Sequence, residues 1–305
     1  MRIDVHCHTI PDFFREAVRE SGHVSTSGVF PPWNPQLALE TMDRNGIAAA
    51  ITSISYPGVH FGDDAKARAL ARRCNEFAGD LIARWPARFG AFATLPLPDI
   101  DGSLLELEAS RLEGVCLLAS YNGVYLGESL YDPLLEDLDR RGTVVFIHPG
   151  MHPSSRETGL RWPGFMMEFL FDTTRAAVNL LFSGALERYP RIRFILAHAG
   201  GVLPYFSWRL AVAPMISPLL KGWTEERILA GIRSFWFDTA LSPGPQTLGC
   251  LREVAEPARI LFGSDWPFAP EGVTTKSVAA LDAMDGAQRR SIGRDNALAL
   301  FPRFT

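Results

Sequence analysis

The sequence predicts an α/β fold, a (β/α)8 barrel of the TIM type, on three observations. Eight short apolar runs rich in β-branched residues recur along the 305 residues. Longer segments of helical period separate them, and strand–helix alternation means parallel strands covered by helices. The first run ends His6-Cys7-His8-Thr9, where an open doubly wound sheet would carry a glycine-rich phosphate loop.

The strands are expected at 3–8, 48–53, 89–95, 114–118, 144–148, 194–198, 236–239 and 260–263. The helices are expected at 35–45, 65–85, 102–112, 131–141, 168–188, 224–231, 245–255 and 288–300. Asn34-Pro35 and Asp132-Pro133 each place an N-cap residue ahead of a proline suited to the first helical position. Gly46, Gly114 and Gly142 fall where a helix must stop before the next strand. Two connections exceed the usual length, 11–34 after the first strand and 149–164 after the fifth. Loops that long inside a compact domain are usually functional or disordered, and in a barrel both would lie at the C-terminal face, where active sites sit. With no internal repeat and no linker, residues 1–305 read as one domain.

Composition narrows the function. With 47% hydrophobic residues the chain can bury a large core, and intrinsic disorder is excluded. Thirty basic against 34 acidic residues leave a net charge of −4, without the clustered basic excess of a nucleic-acid binder. Cys7, Cys74, Cys116 and Cys250 are scattered, which fits neither a disulfide framework nor a zinc ribbon. There is no signal-peptide pattern. The longest apolar stretch, around 165–186, is interrupted by Glu168, Asp172 and Arg175, so no membrane span is expected. A cytoplasmic protein is the reading.

Four of the seven histidines and one aspartate carry the chemistry. His6 and His8 lie two apart on the first strand, so they share a face while Cys7 points the other way. His148 ends the fifth strand, His198 the sixth, and Asp265 follows the eighth in Gly263-Ser264-Asp265-Trp266. Polar residues at the C-terminal ends of different barrel strands converge on one mouth. Three imidazoles and a carboxylate suit a divalent transition metal, zinc by default and manganese as the alternative. One strand histidine alone is more often a hydrogen-bonded structural residue; the joint placement carries the reading.

This constellation resembles the amidohydrolase superfamily. Within it the chain is most similar to the aminocarboxymuconate-semialdehyde decarboxylase-like branch, and there to the 6-methylsalicylate and salicylate-type decarboxylases. The resemblance runs over nearly the whole chain. Its carriers are Met1–His8, Trp33-Asn34-Pro35 through Met42-Asp43 and Gly46, Thr173-Thr174-Arg175-Ala176-Ala177 through Ser183-Gly184, His198-Ala199-Gly200-Gly201 with Leu203-Pro204-Tyr205, and Gly263-Ser264-Asp265-Trp266-Pro267. It implies that His6, His8, His148 and Asp265 hold one metal, with His198 and Asp265 as the catalytic groups. Binuclear members carry a lysine at the end of the fourth strand, where this chain reads Leu117-Leu118-Ala119-Ser120; one metal is expected, not two. Arg209 is matched to an arginine that reaches the substrate carboxylate in a neighbouring subunit, which implies a homodimer. Trp33 and Phe268 are expected to wall a flat substrate. Where the semialdehyde decarboxylases carry arginines between Trp33 and Asp43, this chain has Ala38 and Glu40, a departure favouring a monocarboxylic aromatic acid.

The function expected is therefore metal-dependent, non-oxidative decarboxylation of a small carboxylic acid, a 2-hydroxybenzoate such as 6-methylsalicylate for preference. Hydrolysis of a lactone, amide or ester, or hydration of a ring-fission acid, would use the same residues, since one barrel hosts many chemistries. A barrel that binds metal without turnover is the reading from a different class.

Overall fold

The computed structural model describes residues 1–23, 28–158 and 161–305. Residues 24–27 and 159–160, inside the two long connections, lie outside the described residues. Eight parallel strands follow one another around the sheet in chain order: Arg2–His8, Ile47–Ser53, Phe89–Thr94, Gly114–Leu118, Val144–His148, Arg193–Leu196, Trp236–Asp238 and Ile260–Leu261. The eighth strand meets the first through a seam of single hydrogen bonds. Val5 N–H donates to the Phe262 carbonyl (3.0 Å), the Ser264 and Asp265 N–H groups donate to the His6 carbonyl (3.2 and 2.7 Å), and His8 N–H donates to the Trp266 carbonyl (2.8 Å). The sheet is thus a barrel, as expected.

Two apolar layers hold it. Inside, Ile3, Val5, Ala49, Ile51, Phe92, Val144, Phe146, Ile195 and Leu261 pack with Phe301 and Phe304 from the end of the chain, which plug the barrel. Outside, alternate residues of the same strands, such as Leu117, Val145, Ile147 and Leu196, pack against the helices. Burying each such side chain contributes roughly 1.5–3 kcal/mol, and the layer inside fixes which strand faces point at the mouth.

Helix boundaries follow local chemistry. The Asn34 side chain caps Pro35–Arg44 by accepting from Leu37 N–H (2.8 Å); Asp63, Asp99 and Thr224 do the same for Asp64–Arg84, Ile100–Ala109 and Glu225–Ser234. Asp132 does not cap. A 3-10 turn, Ser129–Tyr131, already leads the chain into Asp132–Arg141, and the Asp132 carboxylate instead meets Arg188 at 3.1 Å. Gly142 ends that helix at φ 62°. Gly114 serves differently: it opens a strand, where a Cβ would collide with the Val144 carbonyl.

Several elements went unread in the sequence. The first long connection holds a helix, Asp12–Glu20, with Phe14 and Val18 buried four residues apart. Helices Leu203–Ala211 and Glu271–Asp282 and a small hairpin, Ser120–Tyr121 with Val124–Tyr125, also interrupt the simple alternation. The predicted C-terminal helix begins at Gly286 and passes through a π-turn at Ser291–Asp295. Among the described residues no helix is long and apolar enough to cross a membrane.

Candidate metal centre and active site

The first strand aims its histidines with the help of a bulge. Asp4 pairs with Ala50 and Cys7 with Thr52, so the first strand takes three steps where the second takes two. The extra residue lets Val5 and His6 both face inward: Val5 packs with Ile3, and the His6 ring lies 4.8 Å from Phe146. His8 follows on the same side, and Cys7 turns outward into the helix-facing layer. The buried Asp4 carboxylate accepts the N–H groups of His6 and Ser264, both at 3.1 Å. Burial pushes its pKa up to about 7.

His148 leaves the end of the fifth strand. His198 and Asp265 are not strand residues. The sixth and eighth strands stop at Leu196 and Leu261, and the two side chains stand on turns beyond them at φ 55° and 61°. Positive φ strains a residue with a Cβ, and both positions are held by tertiary hydrogen bonds. His198 N–H donates to Asp238 Oδ1 (3.1 Å) and Asp265 N–H to the His6 carbonyl.

The ligand atoms of His6, His8, His148 and Asp265 all lie within 4.8 Å of one another, and all four residues are buried. Among the described residues this is the one group of His, Cys, Asp and Glu side chains so arranged. Each imidazole is oriented through Nδ1. His6 Nδ1 lies 2.8 Å from Asp238 Oδ2, and His148 Nδ1 lies 2.7 Å from the Pro149 carbonyl. Those partners accept only, so both histidines carry Nδ1–H and turn Nε2 inward. His8 Nδ1 meets the Ser53 hydroxyl at 3.0 Å. His6 Nε2 is buried without a hydrogen-bond partner, 3.4 Å from Asp265 Oδ1, and His8 Nε2 is 3.0 Å from the same oxygen. An orphaned inward nitrogen, two more imidazoles fixed from behind and one carboxylate fit a single divalent metal, and oriented histidines of this kind characterise such sites.

The electrostatics agree. Burial alone would lower the His6 pKa, but Asp238 and Asp265 outweigh it and raise it to about 10. Burial lowers His8, and burial with the neighbouring imidazoles drives His148 well down. Burial opposes ionisation of Asp265, yet His198, His6 and His8 together hold its pKa well below the usual carboxylate range. His198 stands beside the group rather than in it, with Nε2 3.6 Å from Asp265 Oδ2.

A cavity of about 650 Å³ opens over His148, His198 and Asp265. Its walls are apolar: Phe165, Met166, Phe169 and Leu170 on one side, Leu241, Phe268 and Val273 on the other. Ser55, Tyr56 and Ser242 add the remaining polar edges, and among the described residues no lysine or arginine lines it. Phe268 lines this cavity, with its ring 5.3 Å from His8. Trp33 is not in this cavity. It is buried 5.7 Å from Phe77 and borders a separate small void beside Asp4, Thr41 and Met42, because the helix it precedes packs against the second strand. Arg209 is exposed on Leu203–Ala211 and is not among the cavity residues. His152 stacks on Tyr125 at 5.2 Å, outside the cavity.

The residue the sequence reading missed is Asp238. It is fully buried, orients His6 with one oxygen, and with the other accepts the N–H groups of His198 (3.1 Å) and Ala240 (2.8 Å). A carboxylate closing the apolar strand Trp236-Phe237-Asp238 was the available signal.

A barrel is thus defined whose grouped histidines and aspartate, at or just beyond the C-terminal ends of its strands, could hold a metal. The chain belongs to the amidohydrolase family, whose pattern it matches over residues 3–303. It is 38% identical over 313 residues to the 6-methylsalicylic acid decarboxylase of Penicillium expansum, covering 99% of this chain and 96% of that one. It is 30% identical to the gamma-resorcylate decarboxylase of Polaromonas sp. JS666, covering 85% of each. The crystal structure of a dihydroxybenzoic acid decarboxylase from Polaromonas sp. JS666, with bound manganese and the inhibitor 2-nitroresorcinol, superposes with a TM-score of 0.84 at 26% identity, covering 99% of this chain and 96% of that one.

Proposed function

We propose that this chain is a metal-dependent decarboxylase of a small 2-hydroxybenzoate, 6-methylsalicylate being the preferred substrate. His6, His8, His148 and Asp265 would hold one divalent metal, with zinc the ion best suited to three imidazoles. The observation that carries the reading is the cavity: an apolar space with room for an aromatic acid, whose polar residues include His148, His198 and Asp265. A ring with one methyl group fits walls of Phe169, Leu170, Phe268 and Val273 without burying an unpaired polar group.

The bound metal would supply positive charge to fix the substrate carboxylate and its ortho oxygen. The chain's own groups do the rest. The aromatic side chains orient the ring and exclude water. Asp265, beside both the metal donors and the cavity, takes the proton of the ortho hydroxyl as the substrate binds and carries it to the ring carbon that bears the carboxylate. His198, 3.6 Å from it, orients the substrate and stabilises charge as it develops. The ring carbon gains a hydrogen, the bond to the carboxylate breaks, and carbon dioxide leaves as its electron pair restores the ring. No water is consumed.

A homodimer completes the reading. Arg209 pairs with no carboxylate within the described chain and shares its helix with two exposed apolar side chains, Tyr205 (78% exposed) and Trp208 (72%). A second copy packed on this face would cover them and bring a cation towards a cavity lined by none among the described residues. The deciding test is to incubate the zinc-loaded protein with 6-methylsalicylate and follow carbon dioxide and 3-methylphenol. Equimolar release, abolished by Asp265→Asn, is expected; no release from protein holding one metal per chain would sink the decarboxylase reading and point to hydrolysis.

A further inference from the structure

One more buried carboxylate near the site stands outside the group of candidate metal ligands. Asp172 lies on Glu168–Phe182, is 1% exposed, and accepts the Gly150 N–H with Oδ2 at 2.8 Å. That N–H shares its peptide plane with the Pro149 carbonyl, which takes the Nδ1–H of His148 at 2.7 Å. The plane is clamped from a third side, since a Cβ on Gly150 would stand 3.0 Å from the Tyr56 ring.

We propose that Asp172 is a positioning residue for the metal centre, fixing the Pro149–Gly150 peptide plane so that its carbonyl holds His148 with Nε2 turned inward. His6 receives this service directly from Asp238; His148 receives it through one peptide. A peptide plane is rigid, so an acceptor fixed on its N–H sets the direction of its carbonyl, and hydrogen bonds in series strengthen one another. Without Asp172 the Gly150 N–H has no partner in a buried position, and rotation of the plane to find one would take the carbonyl away from His148. The inference rests on the metal-site reading only for where His148 points.

The test uses the intact chain and two readouts. The first is Mn2+ affinity by chelator competition. Partners standing directly behind a ligand change metal affinity about 10–100-fold when removed, so Asp172→Leu is expected to weaken binding about tenfold. Asp172→Asn keeps an oxygen for Gly150 N–H and is expected to stay within about threefold of the parent. The second readout needs no metal: the His148 Nδ1–H resonance in proton–nitrogen NMR, assigned by its loss in His148→Gln. It is expected to survive in Asp172→Asn and to shift or exchange away in Asp172→Leu. Asp172→Ala replaces the leucine variant if melting in chelator shows that one unfolded. Parent-like Mn2+ affinity and an unmoved resonance in the leucine or alanine variant would overturn the proposal, as would equal losses in the asparagine variant. A parent chain that binds no Mn2+ would count against the metal site, and the resonance would still decide the role of Asp172.

Discussion

At the scale of single residues, the centre is a set of imidazoles in different protonation states. Burial lowers His8 and His148, so near neutral pH both already offer a free nitrogen. His6 differs, because Asp238 and Asp265 raise its pKa from 6.5 to about 10. Below that value it carries a proton that an incoming metal must displace. The sign follows: metal affinity rises about tenfold per pH unit as pH climbs towards 10, levels above it, and falls as pH drops. Calorimetric titration with Zn2+ at pH 8, in two buffers of different protonation enthalpy, is expected to show one proton released per metal. Zero protons released would mean that His6 is neutral before binding. The candidate donors were legible in the sequence, since His-x-His and polar residues at or just beyond the ends of apolar runs, His148 and Asp265, are local patterns. Asp238 and Asp172 were not, because a carboxylate in an apolar run shows its purpose only when its partner, 232 positions away for Asp238 and His6, is folded against it.

At the scale of elements, Glu168–Phe182 supports two active-site turns. Asp172 holds the one after His148. Two residues on, the Thr174 hydroxyl donates to the Leu170 carbonyl (2.7 Å) and accepts the Val202 N–H (2.9 Å), which closes the His198-Ala199-Gly200-Gly201 turn. Gly201, at φ 66°, passes so near that a Cβ would strike the Leu170 carbonyl and stand 2.7 Å from the Thr174 hydroxyl. Gly201→Ala is therefore expected to lose about 2–3 kcal/mol of stability through backbone strain and contact, with a further fall in kcat as His198 shifts. Urea melts and steady-state rates measure the two; parent-like values for both would mean that the turn yields freely. The positions of the eight strands were readable, because apolar runs of β-branched residues announce themselves. The helix Asp12–Glu20 was hidden by the Gly, Pro and Ser around it. The left-handed turns of His198 and Asp265 could not be foreseen, since tertiary bonds impose them against local preference.

At the scale of the whole molecule, the exposed Tyr205 and Trp208 of helix Leu203–Ala211 are a feature the barrel itself does not explain. Large apolar side chains this exposed mark a surface that expects cover. The prediction is a species of twice the 33.7 kDa chain mass in sedimentation, dissociated by Trp208→Glu. If Arg209 reaches the neighbouring cavity, that variant raises KM for the aromatic acid while the zinc content of each chain stays the same. A monomeric parent at micromolar concentration would remove both the dimer and the role of Arg209.

The seam that closes the barrel has a temporal consequence. His6 and Asp265, which would share one ion, stand on opposite sides of it, and the carbonyl of one residue accepts the amide of the other. A nascent chain therefore cannot assemble the four-donor set until residue 265 has been synthesised and the last strand has docked beside the first. The long sequence separation makes that docking slow compared with local helix formation. Metal capture thus becomes a late event in biogenesis, one that locks a finished barrel and does not guide the early collapse.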